Sequence, residues 1–291
     1  MSRAGRPSAK RNVVTPARPG GVPRRRAAFV LAVAVPLVVV VALVATAWTV
    51  LRDRSNGVGA AGTKSAQGKV TPLTDEQTGR LSQVLSKNYE GKGATFTVVA
   101  PVSAGMTLRL AGEVDWVRHL GHAAVTWEGN PAPGRVVEVY WSEREVLEHL
   151  PGLDTALTAA GKRSATWASR AVDTKTYALD RVIELVTKLA SQQRDNPTLL
   201  QQHAGTGWLC ADTLRDTKVD VFAYSAQVRH WVGVDDGRLL RVEADIGGFP
   251  QATVVDLLAA GAQTVRGPRT ADVVAIDQIK DVYERLNPPP R

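Results

Sequence analysis

The sequence predicts an α+β fold: a curved antiparallel sheet, shaped as a half-barrel, with helices packed on its concave face, preceded by one transmembrane helix. Three observations carry that expectation. Ala27 to Leu51 is a run of 25 residues without a charge. Short segments of alternating apolar and polar residues, set off by turn chemistry, fill 95–141 and 207–260. A block of helical periodicity lies between them. Strands and helices segregated into blocks indicate an antiparallel sheet with its helices on one side.

The apolar run comes first. A helix rises about 1.5 Å per residue, so roughly 20 apolar residues cross the hydrocarbon core of a bilayer. Ala27–Leu51 is long enough to span with some tilt. Pro36 is tolerated in a lipid-embedded helix, and Trp48 suits the headgroup layer at the outer end. Ala45-Thr46-Ala47 offers a small-residue cleavage site, but the apolar run is longer than a signal peptide needs. The expectation is a retained anchor, with cleavage after Ala47 as the alternative.

Charge sets its orientation. The net charge is +8, and the first 26 residues hold eight Lys and Arg with no acid. The other 28 Lys and Arg are balanced by 28 Asp and Glu. The high isoelectric point therefore describes a leader. Positive residues beside a membrane helix stay in the cytoplasm. Residues 1–26 read as a disordered basic cytoplasmic tail, 27–51 as the anchor, 52–72 as a flexible tether and 73–291 as an extracytoplasmic domain. No nucleic-acid-binding module is visible in the tail. The single cysteine, Cys210, excludes an internal disulfide and a lipidated cysteine behind the apolar run.

The outer domain opens with a helix. Thr74 caps it with Gln77 in capping-box position, and Leu81, Val84, Leu85 and Tyr89 recur at helical spacing up to Gly91 and Gly93. Strands follow. TFTVVAP runs over 95–101. In MTLRLAGEVDW, Met106, Leu108, Leu110, Val114 and Trp116 share one face and Thr107, Arg109, Glu113 and Asp115 the other, with Gly112 read as a bulge. HAAVTWEG puts Val125 and Trp127 together, and RVVEVYW puts Val137, Val139 and Trp141 together, with the turn NPAPG between them. YALDRVIELVTKLAS is helical, with Leu179, Val182, Ile183, Val186 and Leu189 on one stripe. A short helix follows, with Asn196 as cap and Pro197 at its first position. GWLCADTL, KVDVFAYS, QVRHWVGVD and RLLRVEADI return to strands, the last pair joined by Asp236-Gly237. ATVVDLLAAG fits a strand or a helix, and Val255 and Leu257 flanking Asp256 favour the strand. A short helix closes the chain over Ile276–Leu286.

This layout resembles the LolA-like fold, and in particular the LprG/LppX family of mycobacterial and actinobacterial envelope lipoproteins. The residues that carry the resemblance are MTLRLAGEVDWVRHLGHAAVTW, WLCADTLRDTKVDVFAYSAQVRHWVGVDDGRLLRVEADI and VVDLLAAGAQTVRGP, with RDNPTLLQQ as the helix over the sheet mouth. The resemblance covers about 94–268 and includes no catalytic signature. It implies a half-barrel whose apolar cavity carries an acylated lipid or lipoglycan. A transmembrane anchor in place of the lipidated cysteine departs from the family and implies a tethered carrier, chaperone or sensor.

Covalent chemistry finds little support. Cys210 follows Trp208-Leu209 on a strand, where a small hydrophobe is the ordinary reading. His119 and His122 are three apart, which on a strand places them on opposite faces. Glu143, Glu145, Glu148 and Asp115 read as solvated carboxylates. No phosphate-binding or dinucleotide motif is present, and neither cofactor nor metal is expected. The strand-borne tryptophans are the positive signal. Alternation directs Leu108, Leu110, Val114, Trp116, Val125, Trp127, Val137, Val139, Val221, Val242 and Leu257 inward, as the lining of a ligand cavity.

The sequence thus leads to a single-pass cell-membrane protein, not an enzyme. Its outer domain is expected to bind an apolar or acylated ligand, or alternatively to serve as an envelope sensor or scaffold that holds a protein partner. A topology reporter tests the orientation. Alkaline phosphatase fused after Arg291 should be active in intact cells and inactive when fused after Arg26; the reverse pattern would place the domain in the cytosol.

Overall fold

The structure is a computed structural model. It describes residues 69–129 and 136–286, all within one compact unit, Ser65–Arg291. The basic tail, the apolar run Ala27–Leu51, most of the tether and the NPAPG turn lie outside the described residues. No helix among the described residues is long and apolar enough to cross a membrane.

The elements run α1 (Asp75–Ser82), α2 (Val84–Glu90), β1 (Gly93–Ser103), β2 (Met106–Asp115), β3 (Leu120–Gly129), β4 (Val136–Trp141), β5 (Glu145–His149), α3 (Leu153–Ala159), β6 (Trp167–Ala171), α4 (Ala178–Thr187), α5 (Pro197–Gln202), β7 (Gly207–Leu214), β8 (Thr217–Ser225), β9 (Val228–Gly233), β10 (Leu239–Ala244), β11 (Thr253–Ala260), β12 (Val273–Ala275) and α6 (Lys280–Leu286). The local signals act as expected at the helix starts. Thr74 and Gln77 form both bonds of a capping box, at 3.2 and 3.0 Å, and Asn196 Oδ1 accepts from the Thr198 amide at 3.0 Å. Elements β5, α3 and β6 stand where the sequence shows no clear period.

The twelve strands among the described residues belong to one sheet, in the order β12-β6-β5-β4-β3-β2-β1-β11-β10-β9-β8-β7. It corrects the expectation of a purely antiparallel sheet: β12 pairs with β6 in parallel, so the sheet is mixed, and it is open. The cause is the crossover after β11. Gly261 N donates to Gly93 O at 2.9 Å, Arg118 Nη2 donates to Val265 O at 3.0 Å, and Gly267 lies against the Tyr140 ring. The chain thus travels past β1, the β2–β3 turn and β4 before entering beside β6. Gly112 is no bulge. It keeps register with Phe96 and Ala123, and a side chain there would strike His122 O and Ala123; glycine permits the close approach.

One face of the sheet carries the main core. Phe96, Leu108, Val114, Trp116 and Trp141 pack there with Leu179, Val182, Ile183 and Val186 of α4 and with Leu81 and Val84 beneath the first helices. Trp116 and Trp141 are fully buried, and Trp116 Nε1 donates to Val186 O at 3.1 Å. A smaller cluster joins α3 and α6 to β6 and β12. A third lies on the opposite face of β7–β9, from Leu209, Val219, Val221, Ala223 and Trp231.

Buried polar groups fix α4 on the sheet. Asp180, in its first turn, is wholly buried. Its carboxylate accepts two bonds from Arg170 of β6, both 2.7 Å, and one from the Asp173 amide at 2.6 Å. Arg170 also reaches Glu148 at 3.3 Å and lies over the Tyr177 ring at 3.9 Å. Tyr283 of α6 donates to the other Glu148 oxygen at 2.9 Å. A carboxylate near a helix N-terminus gains from the helix dipole, and bidentate pairing adds geometric specificity. Removing one partner leaves a buried charge uncompensated. Asp180→Ala should therefore lower stability by about 3–5 kcal/mol in urea unfolding; a loss within error would show that the pair is dispensable.

His230 on β9 is also buried. It stacks on Tyr224 at 4.7 Å, and its Nδ1 has no hydrogen-bond partner. Burial lowers its pKa to about 4. An unfolded histidine titrates near 6.5, so between these values the unfolded chain holds more protons. The contribution is present above pH 6.5 and is lost as pH falls toward 4, by roughly 3 kcal/mol in all. Unfolding free energies at pH 7 and 4.5 should differ less in His230→Phe than in the parent. An equal pH dependence would contradict this assignment.

Candidate functional site

The eleven residues expected to line a hollow do not all gather. Leu108, Leu110, Val114, Trp116, Val125, Val137, Val139, Val242 and Leu257 belong to the main core, and Trp127 packs against its border. Val221 lies on the opposite face with Trp231. The helix-covered face is closely occupied: Leu108, Val114 and Val242 are 0% exposed. Helix α4 packs over β2 and helix α2 over β10 within this cluster.

Two clefts open beside this core. The first, of about 370 Å³, lies between Arg238–Leu240 and Leu257–Ala260, and Trp116 and Leu257 reach it from the expected set. The second, of about 330 Å³, lies along α4 and contains none of the eleven. Val172, Ile183 and Ala190 give it apolar walls. His119, Glu143, Glu184 and Lys188 stand around it.

Local structure explains the second cleft. Thr187, in the last turn of α4, accepts from Trp141 Nε1 at 3.3 Å and donates to Ile183 O at 2.8 Å. Both bonds point into the protein, so the hydroxyl is satisfied there. Helix α4 ends at this point, and Leu189 O accepts from Asn88 Nδ2 at 2.6 Å. The chain is thus pulled toward α2, which leaves a gap on the β4–β6 side. His119 occupies the β2–β3 turn with φ 53, and its Nδ1 lies 3.4 Å from Glu143 Oε1. Lys188 Nζ lies 2.6 Å from Glu184 Oε1. The mouth therefore carries both signs of charge on exposed side chains, above apolar walls. Ile183 was legible as a core position on the helical stripe. Val172 lies just outside regular elements, and Ala190, inside the stretch YALDRVIELVTKLAS, falls past the observed end of α4 at Thr187.

His119 and Glu143 stand at this cleft, and the other reactive residues named from the sequence lie elsewhere. Burial, with Asp212 and Asp220, pushes the Cys210 thiol pKa up, the direction opposite to thiolate activation. Burial alone would raise Asp115, but bonds from Arg118 and the Val117 amide outweigh it and hold the carboxyl below its usual range. Glu148 is bound to Arg170 and Tyr283. His122 faces Glu138 at 4.0 Å. Among the described residues, no group of three or more His, Cys, Asp or Glu is placed to hold a metal ion.

No protein-family model matches the chain, and no curated protein matches it. Among solved structures, the chain is similar to an uncharacterized conserved protein from Thermus thermophilus, at 13% identity over 68% of this chain and 95% of that one, with a TM-score of 0.34. It is also similar to the complex structure of Pseudomonas aeruginosa MucA/MucB, at 11% identity over 66% of this chain and 57% of that one, with a TM-score of 0.26. Neither bears the name of the envelope-lipoprotein family that the strand pattern resembles, and neither identifies a function for this chain.

Proposed function

We propose that the chain is a membrane-anchored, non-catalytic binding protein whose outer domain sequesters a single apolar or acylated chain in the cleft along α4. The observation that carries this reading is the cleft itself: about 330 Å³, walled by Val172, Ile183 and Ala190 and bordered by His119, Glu143, Glu184 and Lys188. Ligand sites commonly occupy about 300–1,000 Å³ and combine apolar walls with a few polar groups that set orientation. This cleft stands at the small end of that range. It suits one chain with a polar head and not a multiply acylated lipid.

Binding would be driven by area. Burying roughly 200 Å² of apolar surface is worth about 5 kcal/mol before association losses. That figure matches a carrier or hand-over point that must release its ligand. The polar mouth would orient the head and contribute less, because exposed ion pairs are weak.

Dodecanoate titrated against residues 69–286, followed by tryptophan fluorescence, tests the proposal. Ala190→Phe should plug the cleft and weaken binding by about tenfold or more, since that corresponds to losing only 1.4 kcal/mol of contact, with an unchanged melting temperature. Equal affinity in parent and variant would overturn the assignment of this cleft.

A further inference from the structure

Strand β11 outruns its neighbour. It pairs with β1 from Val254 to Ala260, whereas β10 meets it only from Thr253 to Asp256. On the other bank, β10 is irregular between Leu239 and Arg241, where its own pairing with β9 shifts. Beyond Asp256 the two strands part, and the crevice of about 370 Å³ fills the gap.

The main chain dictates what such a gap accepts. Successive residues of a strand turn their N–H and C=O groups alternately to the two neighbours. Where one neighbour departs, those groups need other partners. Arg215 already supplies one: its Nη2 donates to Leu240 O at 2.9 Å and to Leu257 O at 2.8 Å, spanning the two banks where strand amides pair elsewhere. Past that point Leu258 is 44% exposed, although it lies on an interior strand. Ala259 and Ala260 are exposed too, and a side chain added at Gly261 would meet nothing within 4 Å. The approach is therefore open.

Charge narrows the occupant. Arg238 on the rim is 61% exposed and lies 3.6 Å from Asp236 Oδ2, while Lys87 Nζ donates to Asp236 O at 2.6 Å. Arg238 is the exposed cation that lines the crevice. An apolar chain would leave the strand's polar groups without partners, whereas an extended backbone satisfies them.

We propose that this crevice is a strand-addition site: an extended segment of a partner protein, with an acidic residue set toward Arg238, pairs with Leu258–Ala260 of β11 at the gap between β10 and β11. The site is separate from the cleft along α4, so the two can be occupied at once.

The test uses the full chain in detergent micelles and a displayed library of random twelve-residue peptides. Selected peptides should be rich in extended-chain residues with an acid, and should slow hydrogen exchange at Leu258–Ala260. Methylating alternate backbone nitrogens of such a peptide should weaken it about tenfold or more, the effect of losing main-chain hydrogen bonds. Arg238→Glu, an exposed position, should weaken acidic peptides to a similar degree without changing the melting temperature. Saturating dodecanoate should displace none of the peptide. The proposal is overturned if no peptide is enriched, if protection falls elsewhere, or if the methylated peptide binds as well as its parent.

Discussion

A single buried carboxylate holds the arrangement together. Asp180 has no exposure to solvent and is bonded by both terminal nitrogens of Arg170 and by the Asp173 amide. Because Asp180 sits in the first turn of α4 and Arg170 on β6, the pair fixes where the helix meets the sheet. The far end of α4 is fixed separately, through Trp116 Nε1 to Val186 O and Trp141 Nε1 to Thr187. A helix tied at both ends lies close on its sheet, and its apolar stripe then occupies the face that would otherwise be hollow.

The proposed binding sites follow from that closeness. With the central face filled, two open volumes among the described residues lie where regular packing stops. One such place is the flank of α4, where the chain leaves toward Asn88. The other is the point at which β10 and β11 separate. Their surroundings differ in kind. The flank has apolar walls below mixed charge, whereas the strand gap presents main-chain groups beside Arg238. An acyl chain and an extended peptide are the occupants these two chemistries favour.

Much of the fold was legible in residues 74–129 and 177–260, because their helix caps, alternation and turn dipeptides act locally. Thr74, Asn196 and Asp236-Gly237 all stand at boundaries the structure bears out. Strands β5 and β6 were not legible. Glu148 and Arg170 look like solvated charges in sequence, and only their mutual pairing and Asp180 allow them to be buried. The parallel pairing of β12 depends on a crossover that no local pattern encodes. Val221 shows a different failure. Val219 to Ala223 are all buried, since both faces of β8 are covered, so alternation loses its contrast and cannot tell which face is which. Two walls of the cleft along α4 were hidden for a related reason: Val172 and Ala190 fall between the observed elements and meet Ile183 only in three dimensions.

The central claim is that an apolar chain lies against α4. Photolabelling tests it most directly, using a dodecanoic acid that carries a diazirine near its methyl end. After irradiation and digestion, the account predicts adducts concentrated on Val172, Ile183 and Ala190. Adducts confined to the opposite face around Val221 and Trp231, or spread evenly over the domain, would contradict it.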